Sequence, residues 1–167
     1  MPDSIIKAAM IEVQPLLVDD TVGTAVQRLV DLGLPALPVT EPDGRFAGIF
    51  GEREFMTALF PGYMDTLASA RIISTSIDAS IDRRAACRDE PIRRYLTTDH
   101  VVLDEEFSDT QLAELFLHHR VLVIPIARAG RVHAVVTRND FFHHLVKRFM
   151  AIAADALQDP ESPEARE

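Results

Sequence analysis

The sequence predicts a mixed α/β (α+β) fold made of two similar β-α-β-β-α units, and an internal repeat is the main reason. Residues 45–55 and 131–141 read alike at an offset of 86 residues, and Gly44 and Gly130 precede them at the same offset. The same order of predicted elements surrounds both stretches. A unit of this size buries too little apolar surface to fold alone, so two copies should pack on each other. We therefore expect pseudo-two-fold symmetry, with small mixed sheets flanked by helices.

The first copy is expected at residues 8–60. Apolar residues at helical spacing follow Asp19, Asp20 and Thr21, whose side-chain oxygens all suit a helix N-cap. Gly33 is a natural helix end. A turn at residues 42–44 combines proline and glycine, which favour tight turns. The predicted elements are a strand at 16–18, a helix at 22–32, strands at 36–40 and 46–50, and a helix at 52–59.

The second copy is expected at residues 93–150. Its run at 121–126 is continuously apolar, which is typical of a strand covered on both faces. Ser108 or Asp109 can cap the preceding helix. The predicted elements are a strand at 101–103, a helix from 108 to 119, strands at 121–126 and 132–136, and a helix at 139–150.

The remaining segments are a linker at residues 61–92 and a tail at residues 151–167. The linker has apolar residues of its own and is too long for a plain loop. It should form one or two short helices, and residues 92–96 should form a lead-in helix to the second copy. The tail ends in a polar stretch with two prolines and is expected to be mostly disordered.

Composition excludes several classes of function. The net charge of -9 argues against nucleic-acid binding, because backbone phosphates require a basic surface. Cys87 is the only cysteine, so an intramolecular disulfide is impossible, as is usual in a reducing cytosol. No signal peptide and no apolar run of about 20 residues is visible, so no membrane association is predicted. We expect a cytoplasmic protein.

The residues Thr137-Arg138-Asn139-Asp140 stand where the last strand should pass into the last helix. A helix N-terminus presents unpaired N–H groups and favours an anion. The Thr137 hydroxyl can donate to a phosphate, Arg138 can add a charge-assisted bond, and Asp140 can accept two ribose hydroxyls. The same spacing is also that of a helix cap, with Thr137 bonded to the residue three positions on. Both interpretations remain open, and a ligand could displace such a cap.

The first copy differs at the matching positions. Gly51 replaces Thr137 and Glu54 replaces Asp140, so a hydroxyl is lost and the carboxylate is carried one methylene further out. Arg53 could partly compensate. We expect this second site to be weaker, empty, or selective for a ligand without phosphate.

The chain resembles a pair of cystathionine-β-synthase-type (CBS) domains, also called a Bateman module, over about residues 8–59 and 93–149. The resemblance is carried by the element order, the strand ending in Val-Ile-Pro-Ile at 123–126, the glycine turn, and the junction at 137–140. It implies a cytosolic sensor of AMP, ADP, ATP or S-adenosylmethionine that often forms homodimers. It also implies that Thr137 contacts phosphate and Asp140 contacts ribose, with adenine near residues 98–101 and the strand 122–125. The expected ligand-binding residues are therefore Thr137, Arg138, Asp140, Thr98, His100, Val101 and Pro125, with a weaker site at Gly51, Arg53 and Glu54.

No catalytic motif is visible, so the chain is predicted not to be an enzyme and to need no cofactor, with the adenine nucleotide as its ligand. The pairs His118-His119 and His143-His144 are adjacent, and neighbours on a helix point about 100° apart, so no metal site is predicted. A second hypothesis is a non-catalytic dimerisation or docking module with vestigial clefts and an unidentified protein partner. A third is an enzyme or metal protein that uses the histidines.

Overall fold

The computed structural model describes residues 5–61 and 76–158. Its first half follows the predicted order, preceded by a short N-terminal helix and strand that the sequence did not indicate. The elements are α1 (Ile5–Ala9), β1 (Met10–Glu12), β2 (Leu16–Leu17), α2 (Val22–Leu32), β3 (Ala36–Thr40), β4 (Phe46–Gly51) and α3 (Glu52–Leu59).

The second half repeats this order after the linker. It contains α4 (Ile77–Arg84), two 3₁₀ turns (Ala85–Asp89 and Ile92–Arg94), β5 (Leu103–Asp104), α5 (Asp109–His118), β6 (Val123–Arg128), β7 (Arg131–Thr137) and α6 (Arg138–Gln158). The predicted fold class is confirmed: two repeats with small mixed sheets flanked by helices.

Local chemistry explains the helix boundaries. The Thr21 hydroxyl accepts a hydrogen bond from Thr24 N at 3.2 Å at the start of α2. At its end, Gly33 adopts a φ of +64°, a left-handed conformation that glycine takes without a steric penalty. Ser108 caps α5 in the same way by accepting from Gln111 N at 3.2 Å. These are the caps that the sequence indicated.

Each repeat contributes one small sheet. In the first, β2 runs parallel to β3 and β3 runs antiparallel to β4. In the second, the order is β1-β7-β6-β5, with β5 parallel to β6 and β6 antiparallel to β7. The strand β1 comes from the N-terminal lead-in of the first repeat, so this sheet contains both the first and the last strand of the described chain.

The lead-in segments are exchanged between the repeats. Ile11 in β1 lies opposite Val135 in β7 of the second repeat. Thr97, in the lead-in of the second repeat, forms a bridge with Ile49 in β4 of the first repeat. The two pairs are related by the repeat offset, so each lead-in closes the last strand of the other unit.

Two hydrophobic clusters form the core. The first centres on Leu37, Phe50 and Ile92, and the second centres on Leu112 and Ile124. A third, smaller cluster joins the repeats through buried Ala36, Ile49 and Val123. This contact places the ends of β3 and β6 against each other, next to the two strand-to-helix junctions.

Some predicted boundaries were wrong. The strand expected at 101–103 begins only at Leu103, and the helix expected at 92–96 is a 3₁₀ turn at Ile92–Arg94. The chain must then be extended, because Thr97 pairs with Ile49. The last helix continues to Gln158, so residues 151–158 are helical rather than part of a disordered tail, as their alanine-rich sequence favours.

Residues 62–75 of the predicted linker and 159–167 of the predicted tail lie outside the described residues. Within the part of the chain that is described, none of the helices combines the length and the hydropathy needed to cross a bilayer.

Candidate functional site

The junction between β7 and α6 brings Thr137 and Asp140 into direct contact. The Thr137 hydroxyl donates to Asp140 Oδ2 at 2.5 Å and accepts from Asp140 N at 3.0 Å. Thr137 is buried, whereas Asp140 is half-buried. Its second carboxylate oxygen, Oδ1, has no hydrogen-bond partner among the described residues. The cap that the sequence suggested is therefore present, and part of the carboxylate stays available.

A cleft of about 850 Å³ opens beside this junction, between the two repeats. Its walls include Val26, Leu29, Gly33 and Phe55 from the first repeat and Leu122, Thr137, Asp140 and Phe142 from the second. The cleft is largely apolar with a few polar groups at one end, and its volume is within the range usual for small-molecule sites. Because both repeats line it, an occupant would contact both.

Arg138 is engaged elsewhere. Its Nη2 donates to the carbonyl oxygens of His119 at 2.9 Å and Phe116 at 3.5 Å, and its guanidinium lies 6.0 Å from the centre of the Phe116 ring. Carbonyl groups at a helix C-terminus attract cations, and Arg138 satisfies those of α5. The structure therefore uses Nη2 of Arg138 to join α5 to α6, while its buried Nε has no hydrogen-bond partner among the described residues.

The electrostatics of the cleft follow from this. Glu52 is exposed on its rim, and Arg138 is the only cationic residue among the described lining. The N–H groups of Arg138 and Asp140 already donate to Leu122 O at 2.9 Å and to the Thr137 hydroxyl. The cleft is thus better suited to a ligand of low negative charge than to a polyphosphate.

The other residues expected at this site lie apart from the cleft. Thr98 is exposed and follows Thr97, which is bonded to the first repeat. His100 Nε2 lies 3.0 Å from Val123 O, on the strand residue that pairs with Thr137. Val101 is half-buried and Pro125 is buried within β6, opposite Val135. None of the four is among the described residues that line the cleft.

The first-repeat junction is closed. Glu54 is only 6% exposed. Its Oε2 accepts from Gly51 N at 3.0 Å, and its Oε1 accepts from the Thr97 hydroxyl at 2.5 Å. Arg53 is exposed on α3. Sequence reasoning missed Thr97. An alignment of the two repeats matches Thr97 with Ile11 and would have shown that only the first junction has a hydroxyl at this position.

A second cleft, of about 700 Å³, lies at the far end of β7 near Arg128, Arg131 and His133. Arg128 Nε is held by both oxygens of Glu105, at 2.8 Å and 2.7 Å, so its charge is already compensated. Within residues 5–61 and 76–158, no group of three histidine, cysteine, aspartate or glutamate residues is placed to hold a metal ion.

Comparison with known proteins identifies the repeat unit. Residues 9–61 match the family model of the CBS domain. The first repeat is a CBS domain. The described fold carries the same unit twice, so the chain folds as a tandem CBS pair. CBS domains in general are regulatory modules rather than catalytic ones.

Solved structures of CBS proteins share this fold. A CBS-domain-containing protein of Agrobacterium tumefaciens matches 84% of this chain and 89% of its own at 21% identity, with a TM-score of 0.62. A putative acetoin utilization protein of Vibrio cholerae matches 95% and 97% at 16% identity, with a TM-score of 0.62. CBSX2 in complex with AMP matches 80% and 87% at 14% identity, with a TM-score of 0.57. No curated protein sequence matches this chain.

Proposed function

We propose that this chain is a non-catalytic sensor that binds an adenine nucleotide or a related adenosyl compound, mainly at the second repeat. The observation that carries the proposal is the state of Asp140. It stands half-buried beside a cleft lined by both repeats, and its Oδ1 is unbonded among the described residues. A carboxylate in this position can accept the two adjacent hydroxyls of a ribose.

The remaining parts of the cleft suit the rest of such a ligand. The Thr137 hydroxyl now donates to Asp140, and it can rotate to donate to a phosphate oxygen when a ribose takes over the carboxylate. The apolar walls, among them Leu29, Phe55 and Leu122, offer a surface for a base. A CBS protein of the same fold, CBSX2, has been crystallised in complex with AMP.

Ligand binding would act on the arrangement of the repeats. The cleft is lined by α2 and α3 on one side and by the start of α6 on the other. A ligand that contacts both sides favours the packing in which these surfaces are correctly spaced. A partner that distinguishes this packing could then read the ligand's presence. No cofactor is needed for such a role.

The proposal is tested by a thermal-shift panel of AMP, ADP, ATP and S-adenosylmethionine on the purified chain. A ligand that binds only the folded state must raise the melting temperature. Since Arg138 is the one cationic residue among the described lining of the cleft and its Nη2 is bonded to α5, we expect AMP to produce a larger shift than ATP. Mass spectrometry of small molecules released from the purified protein should identify an adenosyl compound. A flat panel together with an empty protein would contradict the proposal.

A specific feature favours a second candidate function, a dimerisation or docking module. One face of α6 is apolar and exposed, with Phe142 58% and Phe149 70% exposed and Val146 between them on the same face. Val30 on α2, which is 75% exposed, adds to the apolar surface of the helical layer. Isolated apolar residues are normal on surfaces, but such a series along one helix marks an interaction face.

We propose that this face, whose residue Phe142 also lines the cleft, joins two copies in a homodimer. Light scattering coupled to size-exclusion chromatography measures the mass directly. A stable dimer that releases no adenosyl compound and shows no thermal shift would favour the docking function over the sensor function.

A further inference from the structure

The geometry points to a permanent clasp in the first repeat: Glu54 occupies its own cleft and fastens the lead-in of the second repeat to β4. We infer that the Glu54 carboxylate takes the place that a ligand would need there, so that only the second repeat can respond to one. The clasp itself does not depend on nucleotide binding. Only its consequence for the number of ligands per chain rests on the proposed function.

Burial and bonding of Glu54 support the clasp. A buried carboxylate is costly unless its oxygens are hydrogen-bonded. The two oxygens of Glu54 accept from different parts of the chain: Gly51 N at 3.0 Å and the Thr97 hydroxyl at 2.5 Å. Within the described residues no basic side chain forms an ion pair with Glu54, so these two donors carry the stabilisation.

The backbone around Thr97 is seated just as closely. Ile49 N donates to Thr97 O at 2.9 Å, and Thr97 N donates to Ile49 O at 3.1 Å. A Cβ atom added to Gly48 would lie 2.5 Å from Thr97 O, so the lead-in contacts β4 where only glycine fits. The backbone around Thr97 therefore holds the Thr97 hydroxyl in place beside Glu54.

The second repeat lacks this clasp. By the repeat offset, Ile11 occupies in the second sheet the position that Thr97 occupies in the first. An isoleucine side chain has no donor, so nothing equivalent reaches Asp140. The difference between a closed cleft and an open one thus depends on one pair of residues in each repeat. The pair is Thr97 and Glu54 in the first and Ile11 and Asp140 in the second.

The packing around Gly51 leaves no room for the threonine that the second repeat has at the matching position. A Cβ atom at this position would lie 2.4 Å from Pro35 O and 2.5 Å from the Ala36 Cβ. A hydroxyl-bearing residue like Thr137 has no room there. At this junction both oxygens of Glu54 are bonded, and the backbone at Pro35 and Ala36 packs directly against Gly51.

The clasp is tested with two variants of unchanged shape, Thr97→Val and Glu54→Gln, and with their combination. Each should lower the melting temperature by about 3–10 °C, because Thr97→Val leaves Glu54 Oε1 without a donor and Glu54→Gln replaces a charged acceptor by a weaker neutral one. The double variant should be no less stable than the less stable of the two single variants, since both substitutions remove the same interaction. Thr98→Val, at the exposed neighbouring position, is the matched control and should shift the melting temperature by less than about 2 °C.

Hydrogen exchange adds a local readout. In Thr97→Val the amides of residues 49 and 97 should exchange about tenfold faster or more, because the lead-in is no longer fastened. Thr97→Ser keeps the hydroxyl and should retain most of the protection of these amides from exchange. This variant tests the clasp even where Thr97→Val folds poorly. Wild-type stability and unchanged exchange in Thr97→Val would overturn the clasp.

Native mass spectrometry with AMP separates the clasp from the sensor function. One AMP per wild-type chain supports both. Two AMP per chain overturn the clasp, because the first cleft would then be open. If no AMP binds while Thr97→Val is destabilised, the clasp stands and the proposed function fails.

Discussion

In the second repeat the Asp140 carboxylate bonds its neighbour Thr137 and remains half-exposed beside a cleft of about 850 Å³. In the first repeat Glu54 is 6% exposed and both of its carboxylate oxygens are bonded. Both acids lie three residues after the end of the same strand of the repeat. One methylene, a glycine and a threonine from the other lead-in thus separate a carboxylate with both oxygens bonded from one with an oxygen left available.

The largest effect is expected from copying the second junction into the first. Gly51→Thr places a Cβ atom 2.4 Å from Pro35 O, so the backbone must shift. We expect a loss of about 3 kcal/mol or more in the free energy of unfolding, measured by urea denaturation. The reciprocal change, Thr137→Gly, removes the hydroxyl that caps the helix together with a small methyl-bearing side chain, creates no clash, and should cost about 1–2 kcal/mol. Equal losses would show that the first junction is not closely packed.

The last helices of the repeats also differ. The helix α3 has 8 residues, whereas α6 has 21 and exposes Phe149 by 70%. Phe149→Glu should weaken the proposed dimer by about 2 kcal/mol, because a charge would be placed in an apolar interface. Light scattering over a dilution series measures the change, with Lys147→Glu as the control. A dimer unaffected by Phe149→Glu would mean that another surface is used.

A smaller effect is expected at the residues that follow the two junctions. Arg138 bonds the C-terminal carbonyls of α5, whereas Glu52, at the same position in the first repeat, is exposed. Arg138→Ala should lower the free energy of unfolding by about 1–2 kcal/mol, and Glu52→Ala should change it by less than about 0.5 kcal/mol. Urea denaturation of both variants checks this. Equal stability of the two variants would argue against a role of Arg138 in joining α5 to α6.

The smallest effect concerns the lead-in of the second repeat at acid pH. The pKa of Glu90 lies below its ordinary value, first because the Tyr95 hydroxyl donates to it and then because Arg84 and Arg94 are close. A lowered folded-state pKa stabilises the protein above the unfolded-state value, and this stabilisation is lost as pH falls through the folded-state pKa. Tyr95→Phe should therefore reduce the stability lost between pH 7 and about pH 3. An unchanged pH dependence in urea denaturation would contradict this.

Local signals predicted much of the fold. The helices at 22–32 and 52–59 were predicted with the boundaries that the structure has, because Thr21, Gly33 and the apolar spacing act within a few residues. The contact of Thr137 with Asp140 is also local and followed from their spacing. The length of α6 was missed because its alanine-rich end was read as part of the polar tail.

Contacts between distant residues could not be predicted in this way. Thr97 reaches Glu54 across 43 positions, and β1 pairs with β7 across more than 120. Strand pairing depends on tertiary packing, so the sequence pattern did not show that the lead-ins are exchanged. The bonds of Arg138 to α5 were missed for the same reason, since the carbonyls that it bonds lie 19 and 22 positions away.

The most direct test of the central claim is a thermal-shift titration with AMP on the wild type, Asp140→Ala and the control Asp78→Ala, an exposed acid in the first turn of α4. Near-saturating AMP should raise the melting temperature of the wild type and of Asp78→Ala by about 5–10 °C. Asp140→Ala should show no shift. A full shift in Asp140→Ala, or none in the wild type, would contradict the assignment of the nucleotide site to the second repeat.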